Sequence, residues 1–187
     1  MPVLLLSAVD AERRGLPGLS VGVGVVPAGI ATARLLASER PSAVVLVGTA
    51  GAYAGGPPIG AVVAARRVGL VSGTATLGLG YVPLPPPPVA ADPDLLRRLS
   101  LPEADVACLV AITTDPALAT AIGASWQVEH MEAYGVAAAC AAAGVAFAVV
   151  LGITNVVGPS AHAEWLANRE ACQDAAAGAV ARLVGGR

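Results

Sequence analysis

Residues 133 to 163 contain no Asp, Glu, Lys or Arg. A run that long must be kept from water, in a bilayer or in a protein core. Its character changes at Gly144. Ala133 to Ala143 is small and helix-favouring, whereas Val145 to Ile153 is rich in β-branched residues. A buried helix, a glycine turn and a buried strand account for that change better than one spanning helix does. No membrane span is expected.

The same alternation runs along the whole chain. Val3 to Val9 reads as a strand, Asp10 to Gly15 as a short helix or turn, and Leu19 to Val26 as a second strand. Pro27 to Ser38 reads as a helix with proline in its first turn. Ser42 to Val47 reads as a buried strand that runs into a glycine loop, Gly48-Thr49-Ala50-Gly51-Ala52. Ile59 to Val71 is a long strand, or two joined by a bend at Gly69. Residues 78 to 93 hold Gly80 and the run Pro85 to Pro88, and read as a loop or lid margin. Asp92 is the expected cap of a short helix ending at Leu99, with Pro93 at its first position. Asp105 to Thr113 is a strand, Met131 to Ala143 a helix, Phe147 to Ile153 a strand, and His162 to Leu183 the final helix. No repeat or linker interrupts the pattern. Buried strands alternating with helices predict one α/β domain over residues 1–187, with helices on both faces of the sheet.

Composition narrows the partners. Only 13% of the residues are charged, none is lysine, and the net charge is −2, against a usual charged share of roughly 25%. The arginine pairs Arg13-Arg14, Arg66-Arg67 and Arg97-Arg98 are too few for a phosphate-backbone footprint, so nucleic acid is not an expected partner. So little charge has two explanations that can coexist: surface hidden in a homo-oligomer, or a coding bias towards Ala, Gly, Pro and Arg. Cys108, Cys140 and Cys172 are widely spaced and odd in number. They suit a reducing compartment and form neither a disulfide framework nor a metal motif. Met1-Pro2-Val3-Leu4-Leu5-Leu6 lacks a basic leader and reads as the first strand, which makes the cytoplasm the expected location.

In open α/β sheets, ligands gather at the carboxyl ends of the strands. Most of the chemically capable residues fall there: Asp10 and Glu12 after the first strand, Gly48 to Gly51 after the third, Thr113 to Asp115 after a later one, and Thr154 and Asn155 after the last. Glu12 is placed to activate a water, or to sit solvated in a helix's first turn. Glu129 and Glu132 are three apart, which on a helix gives adjoining faces. Two such carboxylates bracket a glycosidic bond or hold a ribose diol; alternatively they cap the helix. Asn155 both donates and accepts, which suits the N7/O6 edge of a 6-oxopurine, or it is a turn residue. His130 and His162 lack a spacing that supports a metal, and no cofactor is expected. Gly22-Val23-Gly24 is not a dinucleotide loop, because the third glycine is displaced to Gly29 and no acid ends the next strand. Ser7, Ser72 and Ser125 lack a nucleophile elbow.

Taken together, Ala8 to Glu12, Gly22-Val23-Gly24, Gly48 to Gly51, Gly60-Ala61-Val62-Val63, Val128 to Ala133 and Gly152 to Asn155 resemble the purine nucleoside phosphorylase and nucleosidase superfamily in order and spacing. Within it the chain is most similar to futalosine hydrolase, with methylthioadenosine/S-adenosylhomocysteine nucleosidase next. Glu129-His130-Met131-Glu132, Asn at 155 and Trp165 suggest the futalosine branch. The resemblance implies a three-layer α/β/α fold with a central mixed β-sheet, a homo-oligomer, and a role in menaquinone biosynthesis. It implies that Glu12 activates water, Met131 packs on the ribose, Glu132 binds its hydroxyls, Ala50 and Gly51 approach through their backbones, and Asn155 binds N7 of the leaving base. Glu129 and Trp126 complete the expected substrate-binding set. The implied reaction is hydrolysis of a 5′-modified 6-oxopurine nucleoside such as futalosine, releasing hypoxanthine. Asn155 carries that choice, since adenine-releasing relatives usually place an aspartate there. Three features depart from the pattern. Ala61 stands where an acid is common. Base-stacking aromatics are reduced to Tyr53, Tyr81, Tyr134 and Trp126. The phosphate-binding arginines of the phosphorylases have no match, which favours water as acceptor. A phosphorylase, an adenine-releasing nucleosidase and a non-catalytic nucleoside binder are the alternatives.

Overall fold

The structure, a computed structural model, describes residues 3–184. Met1 and Pro2 of the expected first strand lie outside the described residues. In chain order the elements are β1 (Val3–Ser7), a 3₁₀ turn (Asp10–Arg13), β2 (Leu19–Ser20), α1 (Val25–Glu39), β3 (Ala43–Ala52), β4 (Val62–Leu70), α2 (Gly73–Thr76), β5 (Val89–Ala90), α3 (Pro93–Leu99), β6 (Glu103–Cys108), α4 (Pro116–Gly123), β7 (Val128–His130), α5 (Ala133–Ala143), β8 (Ala146–Val156) and α6 (Ala161–Val184).

The charge-free run folds as its composition predicts. Its helix is α5, its turn is Gly144 in the left-handed region at φ 64°, and its strand is β8. No helix among the described residues is long and apolar enough to cross a membrane. β8 lies parallel to β3 from Ala43↔Ala146 to Ala52↔Val156. Successive strand side chains point to opposite faces, and here both faces are covered. Val44, Leu46, Phe147, Val149 and Leu151 join one core with residues of α1 and α5. Val45, Val47, Ala148 and Val150 join another with Leu95 of α3 and Ala176, Val180 and Leu183 of α6. These are the three layers. Val44 to Val47 are all 0% exposed, and burying each stabilises the fold by roughly 1.5–3 kcal/mol.

The sheet is mixed. β1 pairs in parallel with β2 and β3, β6 in parallel with β4 and β7, while β7 is antiparallel to β3 and β8 antiparallel to β4. β3, β8, β4, β6 and β7 therefore pair in a closed ring, and β5 extends the β4 edge.

Several sequence expectations are corrected. Only Leu19–Ser20 of the second strand forms, because Gly22 and Gly24 turn the chain at φ 86° and 97° and α1 begins at Val25. Gly48 to Ala52 is strand, not loop; it continues β3 and pairs with β7 and β8. Ile59 to Val71 contracts to β4, and Asp105 to Thr113 to a strand starting at Glu103 and ending at Cys108. Residues 128–130 form β7, so Glu129 is on a strand and Glu132 at the N-cap of α5. The two do not share a helix. Asp92 does cap α3, accepting from the N–H groups of Asp94 and Leu95, both at 2.9 Å.

Candidate active site

Four strand ends and the start of α6 meet around a cavity of about 400 Å³. Its lining includes Glu12, Ala50, Gly51, Glu129, Met131, Glu132 and Asn155, all of them expected site residues, together with His130, His162 and Trp165. Trp126, also expected there, is elsewhere. Its ring lies over Gly69, where a Cβ would collide with it, with the Arg67 guanidinium 5.2 Å from the ring centroid.

Glu12 reaches the cavity because its 3₁₀ turn folds back on the end of β1. Oε2 accepts from the N–H groups of Ala8 (3.0 Å) and Val9 (3.4 Å), and Oε1 from that of Thr49 (3.3 Å). The residue is buried, 7% exposed. Burial pushes its carboxyl above the usual carboxylate range. His130 and the Val9 and Thr49 N–H groups oppose that shift, while Glu132 adds to it. Gly48 makes room: a Cβ there would stand 3.2 Å from Glu12 Oε1 and 3.3 Å from His130 Nε2. Asp10, by contrast, is exposed on the outside of the turn, paired with Arg13 at 2.7 Å.

Glu132 is brought in by two helices. α1 and α5 cross at Gly29 and Gly135, where a Cβ on Gly135 would meet the Val25 carbonyl. That close approach carries the Gly24 N–H to within 2.6 Å of Glu132 Oε1. Oε2 is 3.4 Å from His130 Nδ1. Glu129 is used differently. Oε2 accepts from the Tyr53 hydroxyl at 2.7 Å and Oε1 from the Thr113 N–H at 2.9 Å. Both its oxygens thus have protein partners, and it ties β7 to the loop after β6. Tyr53 is held well above the usual tyrosine range by burial first and by Glu129 second.

Asn155 is aimed by an irregularity in the β3–β8 ladder. Ala50 pairs with Ile153 but Gly51 with Asn155, so Thr154 is an extra residue between them. Such a bulge redirects the side chains beside it. The Thr154 hydroxyl lies 2.8 Å from Asn155 Oδ1, and Asn155 Nδ2 donates to the Val156 carbonyl at 3.3 Å. This orientation makes Oδ1 the acceptor of the hydroxyl, so the amide NH₂ retains a second N–H to donate. Gly51 must lack a side chain, because a Cβ there would lie 2.6 Å from Nδ2.

An aromatic wall faces this polar cluster. His162 and Trp165 stack with ring centroids 5.9 Å apart, and Trp165 Nε1 donates to Thr49 Oγ1 at 3.2 Å. In the sequence Trp165 stands out only through a resemblance. Its spacing from His162, three residues along one helix, was the available signal that both share a face. A second, wider depression of about 570 Å³ adjoins at Ile112. Its walls are mainly apolar and include Leu77, Leu79, Val82 and Leu118. The smaller cavity is the candidate active site, because the buried carboxylates and the amide converge there. No group of His, Cys, Asp and Glu suited to a metal ion occurs among the described residues.

Three comparisons bear on this geometry. The family model described as the phosphorylase superfamily matches residues 16–185. The chain is 32% identical to a futalosine hydrolase from Thermus thermophilus over 175 residues, covering 81% of this chain and 76% of the relative. Among solved structures, a 5′-methylthioadenosine/S-adenosylhomocysteine nucleosidase from Neisseria meningitidis, in complex with methylthio-immucillin-A, matches with a TM-score of 0.83 at 19% identity, covering 98% of each chain. The futalosine hydrolase of Helicobacter pylori matches with a TM-score of 0.84 at 16% identity, covering 98% of this chain and 97% of that one.

Proposed function

The chain belongs to the phosphorylase superfamily, and from that premise we propose that its cavity hydrolyses the N-glycosidic bond of a 5′-modified 6-oxopurine nucleoside such as futalosine, releasing hypoxanthine. The observation that carries this is the convergence of Glu12, Glu132 and Asn155 on one cavity. Three different chemical tasks are then available within the reach of one nucleoside.

Glu12 takes the proton of the attacking water. Its buried carboxylate has Oε2 held by two N–H groups, while Oε1 receives one and keeps a lone pair for that proton. Glu132 binds a ribose hydroxyl through Oε2, since Oε1 is held by the Gly24 N–H. Met131 packs against the sugar, and the backbone of Ala50 and Gly51 passes beneath it. Asn155 donates its remaining N–H to N7 of the leaving base. As the C1′–N9 bond lengthens, the sugar becomes cationic and the base anionic. The carboxylates face the first charge and the amide N–H the second, an arrangement that stabilises the transition state more than the ground state. The bond from water oxygen to C1′ forms, the pair of electrons in the glycosidic bond leaves with the purine, the purine anion takes a proton from solvent water, and Glu12 returns to solvent the proton it accepted.

Water is the acceptor favoured by the lining, in which no arginine occurs among the described residues. Asn155 favours a 6-oxopurine, because an amide donates a hydrogen bond to N7 but does not readily transfer a proton to it. Glu129 acts on the substrate indirectly, by fixing Tyr53 and Thr113. The active form is a homo-oligomer whose second copy covers the apolar depression beside the site.

The test is base release from futalosine, inosine, adenosine and methylthioadenosine, each with and without phosphate, followed by chromatography. The expected result is phosphate-independent hypoxanthine release, fastest from futalosine. Adenine release from methylthioadenosine as the fastest reaction would overturn the substrate choice. Phosphate-dependent formation of ribose 1-phosphate would overturn hydrolysis.

A further inference from the structure

His130 is buried at the end of β7, 5% exposed. Its Nδ1 lies 3.1 Å from both the Glu132 and the Ala133 N–H groups. These are among the amides at the start of α5, which lack partners within the helix. The Glu132 side chain does not cap them; the imidazole does. Two donors converging on Nδ1 make it an acceptor, so in the neutral ring the proton is on Nε2. The capped edge is therefore unavailable to a metal. The opposite edge faces the gap above Gly48, with Nε2 and Glu12 Oε1 flanking the position its Cβ would take.

We propose, building on the nucleosidase reading above, that His130 is the positioning residue for Glu12 and its water: the start of α5 fixes the ring tautomer, and that tautomer presents an N–H to the space the Glu12 carboxylate faces. A water there donates one proton to Glu12 Oε1 and accepts from His130 Nε2, which leaves its remaining lone pair for C1′. Two carboxylates and a thiol surround the ring, while the tautomer is set by the two N–H groups on Nδ1. Glu12 faces the ring from the 3₁₀ turn. Glu132 Oε2 is 3.4 Å from Nδ1 at the start of α5. Cys108 of β6 is in register with His130, and burial pushes its thiol up to about 12, so it stays neutral. The neutral ring thus lies between two buried carboxylates, and its Nε2–H edge is turned towards the Glu12 carboxylate, whose pKa burial raises.

Two substitutions separate capping from positioning. His130→Asn keeps an acceptor near Nδ1 and so keeps the cap, but nothing reaches Gly48. His130→Gln restores an N–H near Nε2 and loses the cap. His130→Asn is expected to unfold close to the parent temperature and to lose kcat by about a hundredfold with KM little changed. The acid limb of its pH profile should move to higher pH. His130→Gln should recover part of kcat at a lower unfolding temperature. Parental kcat and pH profile in His130→Asn would show that the ring only caps the helix. A readout independent of turnover is the ¹⁵N spectrum of the imidazoles. The chain has two histidines, so His130→Asn assigns the signal. The expected ring carries its proton on Nε2, and its signal shifts in Glu12→Gln. A proton on Nδ1, or no response to Glu12→Gln, overturns the assignment even if no nucleoside is turned over. The expected tautomer in a protein silent on every nucleoside faults the substrate choice instead.

Discussion

Glu12, the proposed base, is held in the folded chain at a cost in stability. Burial raises its pKa in the folded chain, so the folded state binds its proton more readily than the unfolded state does. Its contribution to stability is therefore greatest below the unfolded pKa and is lost as pH rises through the raised folded value. At neutral pH the ionised group is a cost. Glu12→Gln is expected to unfold at the same or a slightly higher temperature at pH 7, with the gain vanishing in acid; calorimetry across pH checks it, and a large loss of stability at pH 7 would contradict it. In the parent, activity should fall on the acid side at a pH above the ordinary glutamate range, because protonated Glu12 no longer accepts. Asn155 makes the complementary prediction about substrate. Asn155→Asp supplies a proton donor for N7, and should raise adenine release from methylthioadenosine relative to hypoxanthine release from futalosine by about tenfold or more. An unchanged ratio would mean that position 155 does not set the choice of base. At this scale much was legible. Glu12 and Asn155 follow apolar strand-like runs and Glu132 precedes an apolar helix, each with a plain structural alternative, so that the resemblance was needed to single them out; the cavity gathers all three. His130 was visible but not interpretable, because its role depends on backbone N–H groups that no spacing rule reveals. Trp126 was misplaced for a similar reason, since only packing decides whether an aromatic ring meets a ligand or a glycine.

At the scale of elements, the site depends on two local irregularities. One is the extra residue at Thr154, which directs Asn155. The other is the glycine contact between α1 and α5, which lets Gly24 reach Glu132. Gly135→Ala places a methyl group against the Val25 carbonyl and the Gly29 backbone, so the helices must part. Overpacking of this kind costs about 1–3 kcal/mol, and the variant should also bind substrate more weakly as Glu132 loses its anchor. Urea denaturation and KM measure the two effects; parental values for both would mean the crossing is not what places Glu132. The alternating pattern predicted most elements but blurred their ends. Gly48 to Ala52 looked like a loop because small residues lack strand propensity, yet the ladders on both sides hold it extended. α4 was missed although Asp115-Pro116 repeats the cap and first-turn proline of Asp92-Pro93. Asp115 accepts from the Leu118 N–H at 2.8 Å, the same device used again.

For the whole molecule, the charge-poor composition and the exposed apolar surface point the same way. Tyr81, Leu84, Leu79 and Val110 are 84%, 87%, 76% and 75% exposed, and Leu79 belongs to the depression that adjoins the active site at Ile112. These exposed apolar side chains are the surface that the proposed second copy would cover. Sedimentation at micromolar concentration is expected to give a dimer or larger assembly, and Leu79→Asp with Leu84→Asp to shift it towards monomer. A monomeric parent would contradict the proposed second copy. The α/β class was legible from the alternation of buried strands and helices. The ring closure through β7 was not, because a three-residue strand carries too little pattern to be seen. In the proposed reaction Glu12 activates the water that cleaves a 6-oxopurine nucleoside. Its most direct test is the rate of hypoxanthine release from futalosine by the parent and by Glu12→Gln in phosphate-free buffer. Steady release by the parent is expected, with a fall of about a hundredfold or more in the variant, which remains folded. Equal rates in the two proteins would contradict it.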